Sequence, residues 1–298
     1  MKCDRCNRDA IVFQRYSGMH LCRQHFVADF EGRAKKLIRK QRWIESGDRI
    51  GVALSGGKDS SALLYFLTTL FRDRRDVEIR AITIDEGICG YRDPGTVQSI
   101  AESMGVLCHT ASFSGEYGIT LDEIVRRKGD RLSCSYCGVL RRSLLNRVAR
   151  DEGITRIAFG FNLDDDAQSV LMNVLRGDAG RLVHQGEKAD GFIPRIRPFQ
   201  NLPEREVALY AHLHVKGFIE RGCPYAYNAL RADVRTMLND YSYRHPATKF
   251  ALVNLGEELP KMAGGSPEAA GICPECGNPF RGTCRICRIL AEVRQDAG

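Results

Sequence analysis

Residues Ile50–Leu67 read IGVALSGGKDSSALLYFL, and this stretch decides the architecture. Ile50 to Leu54 is an apolar run of strand length. Two glycines follow, and from near Asp59 the apolar residues Ala62, Leu63, Phe66 and Leu67 recur at helical spacing. A buried strand that turns tightly into a helix opens a βαβ unit. The turn is also chemically specific. Gly56 and Gly57 let backbone N–H groups close on phosphate oxygens, the helix N-terminus adds its positive end, and Ser55, Ser60 and Lys58 supply further donors. The spacing differs from the GxxxxGK loop of the common nucleotide-binding motif, so this is another kind of phosphate loop.

Working outward, strand patterns near 50–54, 79–84, 106–112 and 156–160 alternate with helical patterns near 59–70, 94–104, 138–151 and 165–176. That rhythm predicts an α/β fold with a doubly wound parallel sheet. EIRAITIDEGI (Glu78–Ile88) ends in Asp85, Glu86 and Gly87. Ligands of such sheets lie beyond the carboxyl ends of the strands, so this turn is expected to face the nucleotide. A later strand ends at Gly160, and the next helix opens with Asp164, Asp165 and Asp166. Acids favour the first turn of any helix; the alternative is that Asp164 and Asp165 bind magnesium or orient reacting groups. Past Pro194 the pattern is mostly helical, over Pro203–Lys216 and Asn228–Tyr243, and GGSPEAAG (Gly264–Gly271) reads as a flexible linker.

At 298 residues the chain accommodates one large α/β domain with small appendages. No apolar run approaches the roughly 20 residues that span a bilayer, and the opening MKCDRCNRDA lacks the apolar core of a secretory signal. Twelve cysteines in such a chain argue for metal ligands in a reducing compartment, so the cytoplasm is the expected location and no membrane partner is expected. The net charge of +7 fits a nucleic-acid partner without establishing one. RAKKLIRKQR (Arg33–Arg42) is either a solvated helix face or an RNA contact.

Sorting the cysteines narrows the chemistry. Cys3 and Cys6, then Cys22 and His25, form two ligand pairs with a hairpin-length gap. Cys273, Cys276, Cys284 and Cys287 form two closely spaced CxxC knuckles. Each set predicts a structural zinc that supplies folding energy to a ribbon too small to bury its own core. Cys108 reads as a buried small hydrophobe and Cys89 as a loop thiol. There remain Cys134 and Cys137 in SCSYCGVLRR and the distant Cys223 in ERGCPYAYN. A lone CxxC pair can be half a zinc site, a redox dithiol or part of an iron–sulfur ligand set.

SGGKDS, residues 55–60, resembles the PP-loop signature of the N-type ATP pyrophosphatases. The larger set is similar to the TtcA/TtuA family of tRNA 2-thiouridine synthetases: the Cys3/Cys6/Cys22/His25 module, SGGKDS, TIDEGI, CSYCG, GFNLDDDAQ with LMNVLRGD, GCPYA and the C-terminal four-cysteine ribbon. The resemblance implies a PP-loop core, adenine nucleotide α-hydrolase-like, flanked by N- and C-terminal zinc ribbons. It implies ATP contacts at Ser55, Gly56, Gly57, Lys58, Asp59, Ser60, Ser61, Ile84, Asp85, Gly160 and Asp165, with magnesium accompanying ATP. It further implies a 4Fe–4S cluster on Cys134, Cys137 and Cys223, with Lys58, Asp59, Asp164 and Arg141 serving the reaction. Arg141 falls where such enzymes often carry lysine. The implied reaction adenylates the C2 oxygen of a tRNA uridine, after which sulfide displaces AMP. The sulfur donor would be free sulfide or a thiocarboxylated ubiquitin-like protein, and the enzyme a homodimer. The expected divisions are a zinc module (1–27), a basic connector (28–47), the PP-loop core (48–200), a helical extension carrying Cys223 (201–263), and a linker with the second ribbon (264–298). Two other readings stay open: the same thiolation through a cysteine persulfide without a cluster, and a zinc-ribbon RNA-binding protein with a vestigial ATPase. Amidating and lysidine-forming PP-loop enzymes need no three unpaired cysteines, which counts against both.

Overall fold

The computed structural model describes residues 1–183, 191–226, 230–263, 271–280 and 282–295. The chain begins with a short hairpin, β1 (Val12–Gln14) and β2 (Met19–Leu21), followed by α1 (Arg23–Gln41). The core then runs β3 (Arg49–Ala53), α2 (Lys58–Leu70), β4 (Glu78–Asp85), α3 (Pro94–Ser103), β5 (Cys108–Ser112), α4 (Phe113–Tyr117), α5 (Leu121–Lys128), α6 (Ser133–Asp151), β6 (Arg156–Ala158), α7 (Leu163–Leu175), α8 (Ala179–Val183) and β7 (Arg195–Ile196). Helices α9 (Glu204–His214), α10 (Leu230–Arg244) and α11 (Thr248–Ala263) follow. The hairpin β8 (Gly271–Ile272) and β9 (Pro279–Phe280) and helix α12 (Arg285–Gln295) complete the C-terminal part.

The five core strands are parallel in the order β5-β4-β3-β6-β7. The chain therefore winds one way from β3 to β5 and then returns to the other side of β3, the doubly wound arrangement that the motif spacing predicts. The order reverses between β3 and β6, so a crevice opens beyond the carboxyl ends of those two strands. Strand alternation splits the interior in two. Ile50, Val52 and Ala81 face a core with Phe26 and Phe30 of α1, Phe66 of α2 and Tyr210 of α9. Ile82, Ile84 and Ile157 face the other, with Leu140 and Leu144 of α6, Ile124 of α5 and Ile289 of α12. The C-terminal helix thus belongs to the second core and covers the face of α6.

The pattern in the sequence names no counterpart for α4, α5, α8 or α11, and three further elements differ from it. Strand β7 is two residues long, too short for any periodicity to reveal it. Helix α6 begins at Ser133 rather than near 138, because Gly138, usually a weak helix residue, lies inside it. Its missing Cβ leaves room for the Arg142 guanidinium, 3.0 Å from where that atom would be. Helix α10 begins at Leu230 among the described residues; Asn228 and Ala229, and most of the expected linker, lie outside them. Among the described residues no helix is long and apolar enough to cross a membrane.

Candidate active site

The phosphate loop joins β3 to α2 at the crevice. Gly56 sits at φ +76°, a left-handed conformation that disfavours any side chain, and an added Cβ would meet Val97 and Ile219 at 2.9 Å. The Ser55 and Ser60 hydroxyls are 3.1 Å apart, and the Ser60 hydroxyl accepts from the Ser55 N–H and donates to the Gly57 carbonyl. Helix α2 starts with no side-chain cap, so its N-terminal amides and positive end remain available to an anion. Ser61 is fully buried beneath the loop. Gly160, after β6, is packed so closely that a Cβ would meet the Asp59 carbonyl carbon and oxygen at 2.8 Å. Ile84 is buried at the end of β4, and Asp85 accepts from the Gly87 N–H at 2.8 Å, turning the chain at the carboxyl end of the strand.

Beside the loop lies a charged cluster that sequence spacing does not reveal. Lys58 bridges Asp59 (3.0 Å) and Glu204 (2.9 Å). Asn162 donates to Asp59 at 3.3 Å and caps α7 through the Asp164 and Asp165 amides. Asp164 is buried and occupied: Lys249 pairs with one oxygen, and the Glu204 N–H donates to the other at 2.8 Å. Asp165 is less committed, with Arg231 at 3.9 Å. Burial, then repulsion from Asp59 and Glu204, pushes its pKa up to about 6 against the pull of Asn162 and Arg231.

A carboxylate held above its ordinary value binds its proton more tightly in the folded state. Its stabilising contribution is complete at low pH and is lost as pH rises from about 4 through about 6. Asp165→Asn is therefore expected to flatten this part of the stability profile. At pH 7 it should gain about 1–3 kcal/mol over the wild type, a gain that vanishes near pH 4. Urea unfolding across that range measures it; equal wild-type and variant stability at pH 7 would contradict the burial argument.

The sequence-distant Cys137 and Cys223 both pack at the edge of the second core. Cys134 and Cys137 lie one turn apart at the start of α6, with Cys134 exposed and Cys137 half-buried. The charges of Cys223 and Cys134 both bear on Cys137, and the Cys134 sulfur is 3.8 Å from the Tyr225 carbonyl. Backbone pairing explains how residue 223 arrives here: the Ile219 N–H donates to the Gly56 carbonyl at 2.7 Å, and Gly57 bridges to Ile219. Asp122 fastens the surroundings, accepting from the Tyr225 hydroxyl (2.6 Å) and the Cys89 N–H (2.8 Å). Cys89 is an exposed loop thiol, as expected, whereas Cys108 in β5 is half-buried. Burial pushes the Cys137 thiol up to about 11, although Arg141 opposes the shift. Arg141 and Arg92 both pair with Glu86, which is buried at the end of TIDEG. The sequence places Glu86 in a turn expected to face the nucleotide, and the structure pairs it with Arg92 and Arg141 instead; Glu204, Lys249, Asp122 and Tyr225 carry no spacing signal.

The two terminal sets are tighter. Cys6 and Cys22 sulfurs are 3.7 Å apart, and His25 Nδ1 is 3.3 Å from Cys3 and 3.5 Å from Cys22. At the other end, Cys273–Cys287 and Cys276–Cys284 measure 3.7 and 3.6 Å. A tetrahedron with zinc–sulfur bonds of about 2.3 Å has edges of about 3.8 Å, so both sets fit zinc. All ligand atoms of each tetrad lie within 4.8 Å of one another. Cys134, Cys137 and Cys223 do not form so tight a set. The basic run of α1 is divided: Arg33 pairs with Asp29 and Glu206 and Lys35 with Glu31, while Lys36, Arg39, Lys40 and Arg42 are exposed.

The chain resembles known proteins over nearly its whole length. The PP-loop domain family matches residues 27–241, and the N-terminal LIM domain of the 2-thiouridine synthetase TtuA matches residues 2–27. The tRNA 2-thiolation protein NcsA of Haloferax volcanii is 35% identical over 98% of this chain and 99% of its own. Cytoplasmic tRNA 2-thiolation protein 1 of Anopheles gambiae is 33% identical over 96% of this chain and 86% of its own. The solved U34-tRNA thiolase NcsA of Methanococcus maripaludis, with its 4Fe–4S cluster, superposes with a TM-score of 0.85 at 32% identity, covering 98% of this chain and 96% of that one. The phosphate loop, the paired zinc-type tetrads and this likeness over nearly the whole chain lead to one conclusion: the chain belongs to the PP-loop family of tRNA 2-thiolation proteins.

Proposed function

We propose that the protein is an ATP-dependent tRNA-uridine 2-sulfurtransferase that converts the wobble uridine of tRNA to 2-thiouridine. The observation that carries this reading is the backbone pairing of Ile219 with Gly56 and Gly57, which puts the Cys223 segment and the phosphate loop on one wall of the crevice. The wobble position is supported by the likeness to a U34-tRNA thiolase, and the cytoplasm by the relatives so described.

The chemistry asks for both halves of that wall. The C2 oxygen of uridine leaves poorly, and its transfer to the α-phosphate of ATP, with loss of pyrophosphate, turns it into part of AMP. Attack of sulfide at C2 then breaks the bond to that oxygen and expels AMP. The Ser55–Ser61 loop and the open end of α2 bind the phosphates that depart as pyrophosphate, and Lys58 offsets their charge once drawn from Glu204. Magnesium accompanying ATP is served by Asp59 and Asp165, since Asp164 is held by Lys249 and positions the Glu204 backbone instead. Ile84, Asp85 and Gly160 border the nucleotide. Cys134, Cys137 and Cys223 are the ligands for a 4Fe–4S cluster, which when bound supplies an iron without a protein ligand where sulfide is carried. Arg141, anchored by Glu86, balances thiolate charge there. The terminal tetrads hold zinc and stabilise their ribbons. Sulfide or a thiocarboxylated ubiquitin-like protein provides the sulfur, and the working form is a homodimer.

Pyrophosphate release tests the first half-reaction. Release that begins only when tRNA and ATP are both present is the expected result. Release from ATP alone at the same rate would remove tRNA from the reaction.

A further inference from the structure

Three arginines far apart in the sequence meet on the surface beside Cys137. Arg142 projects from α6, Arg195 from β7 and Arg285 from the start of α12. All three are exposed, and among the described residues none has a carboxylate within ion-pair distance. This sets them apart from Arg141, whose charge is taken up by Glu86 at 3.3 Å. Arg142 lies back over Gly138, and its charge is opposed by those of Arg195, Arg141 and Arg285. Crowding like charges without acids costs stability, and an anionic partner recovers that cost.

Aromatic rings adjoin the patch. The Arg195 guanidinium is 5.7 Å from the Phe159 ring, and Phe159 stacks on Phe161 at 5.4 Å with 7° between planes. Phe161 is 46% exposed. Cations beside an exposed ring suit a single-stranded nucleic acid, whose phosphates and bases take one each. An acidic protein surface would use the cations but not the ring.

We propose that the seam where the C-terminal ribbon helix covers the core is an RNA-docking surface, on which Arg142, Arg195 and Arg285 hold phosphates of the substrate loop and Phe161 stacks a base. The proposal rests on the functional reading above and specifies which face presents the RNA. It gives the C-terminal ribbon a role beyond stability, since α12 brings Arg285 to the patch.

The experiment uses the full-length, metal-loaded protein and a fluorescent tRNA transcript, with affinity measured over a range of salt. Arg142→Gln, Arg195→Gln and Arg285→Gln should each weaken binding about fivefold to tenfold, and the triple variant at least about a hundredfold. Each lost phosphate contact should reduce the salt slope by roughly 0.7 to 0.9. Phe161→Ala should weaken binding with an unchanged slope. ATP affinity, zinc content and cluster absorbance report folding, and Arg75→Gln, in an exposed turn, serves as the control. A triple variant that is folded and binds tRNA like the wild type overturns the proposal. That includes the outcome in which it loses only its response to a protein sulfur donor, which would make the patch a protein-docking face. Wild-type protein that binds no tRNA overturns the functional reading itself.

Discussion

Cys223→Ala is expected to remove the iron–sulfur chromophore and with it 2-thiouridine formation. The loss should exceed the roughly 10–100-fold that follows when only an outer partner of a metal site is removed. Cys223 reaches the site through an irregular segment anchored by Ile219 to the phosphate loop, and it packs only at the edge of the second core. Neither zinc-type tetrad includes it, and neither sheet core depends on it. The variant should therefore stay folded, with two zinc ions and near-normal ATP affinity. Iron and acid-labile sulfide analysis after anaerobic reconstitution gives the readout, with Cys89→Ala as a thiol control outside the ligand set. A variant that kept its full cluster but lost activity would point to a persulfide or resolving role for Cys223. Full cluster and full activity together would sink the three-ligand assignment.

Gly160→Ala should separate the other half of the reaction. The new Cβ would stand 2.8 Å from the carbonyl carbon and oxygen of Asp59 and 2.9 Å from the Ser60 nitrogen. These are backbone atoms of the first turn of α2, so no side-chain tip can yield. The loop or β6 must move. Overpacking of this kind costs about 1–3 kcal/mol of stability, and a shift near 1 Å in reacting groups costs on the order of a hundredfold in rate. Tight ATP binding and pyrophosphate release should therefore both fall steeply, while iron and zinc contents stay at wild-type values. Normal pyrophosphate release from this variant would mean that the β6 turn does not shape the ATP site.

These two substitutions also mark what was legible in the residues. The β3–loop–α2 unit was readable because strand, glycines and amphipathic helix are contiguous, and the parallel winding followed from repeated alternation of the same periods. Both zinc-type tetrads were readable because their ligands come in close pairs. The order reversal between β3 and β6 placed Gly160 against Asp59, a proximity that only the fold creates. Family resemblance, rather than spacing, joins Cys223 to the pair on α6. Its physical link, the Ile219 pairing with Gly56, depends on backbone atoms that carry no residue signature. The clamp on Asp164 was hidden for a similar reason: Lys249 belongs to α11, 85 residues away along the chain. The α1 basic run shows the converse, since a dense local run of charge divides into internal ion pairs and solvated charges once folded.

The most direct test is a position-resolved one. Anaerobically reconstituted protein, an unmodified tRNA transcript, ATP, magnesium and sulfide are combined, and the RNA is mapped by mass spectrometry. The account predicts a sulfur-for-oxygen exchange at the wobble uridine that requires both ATP and the cluster. A transcript left unmodified by fully loaded enzyme, or thiolated equally well without ATP, would contradict it.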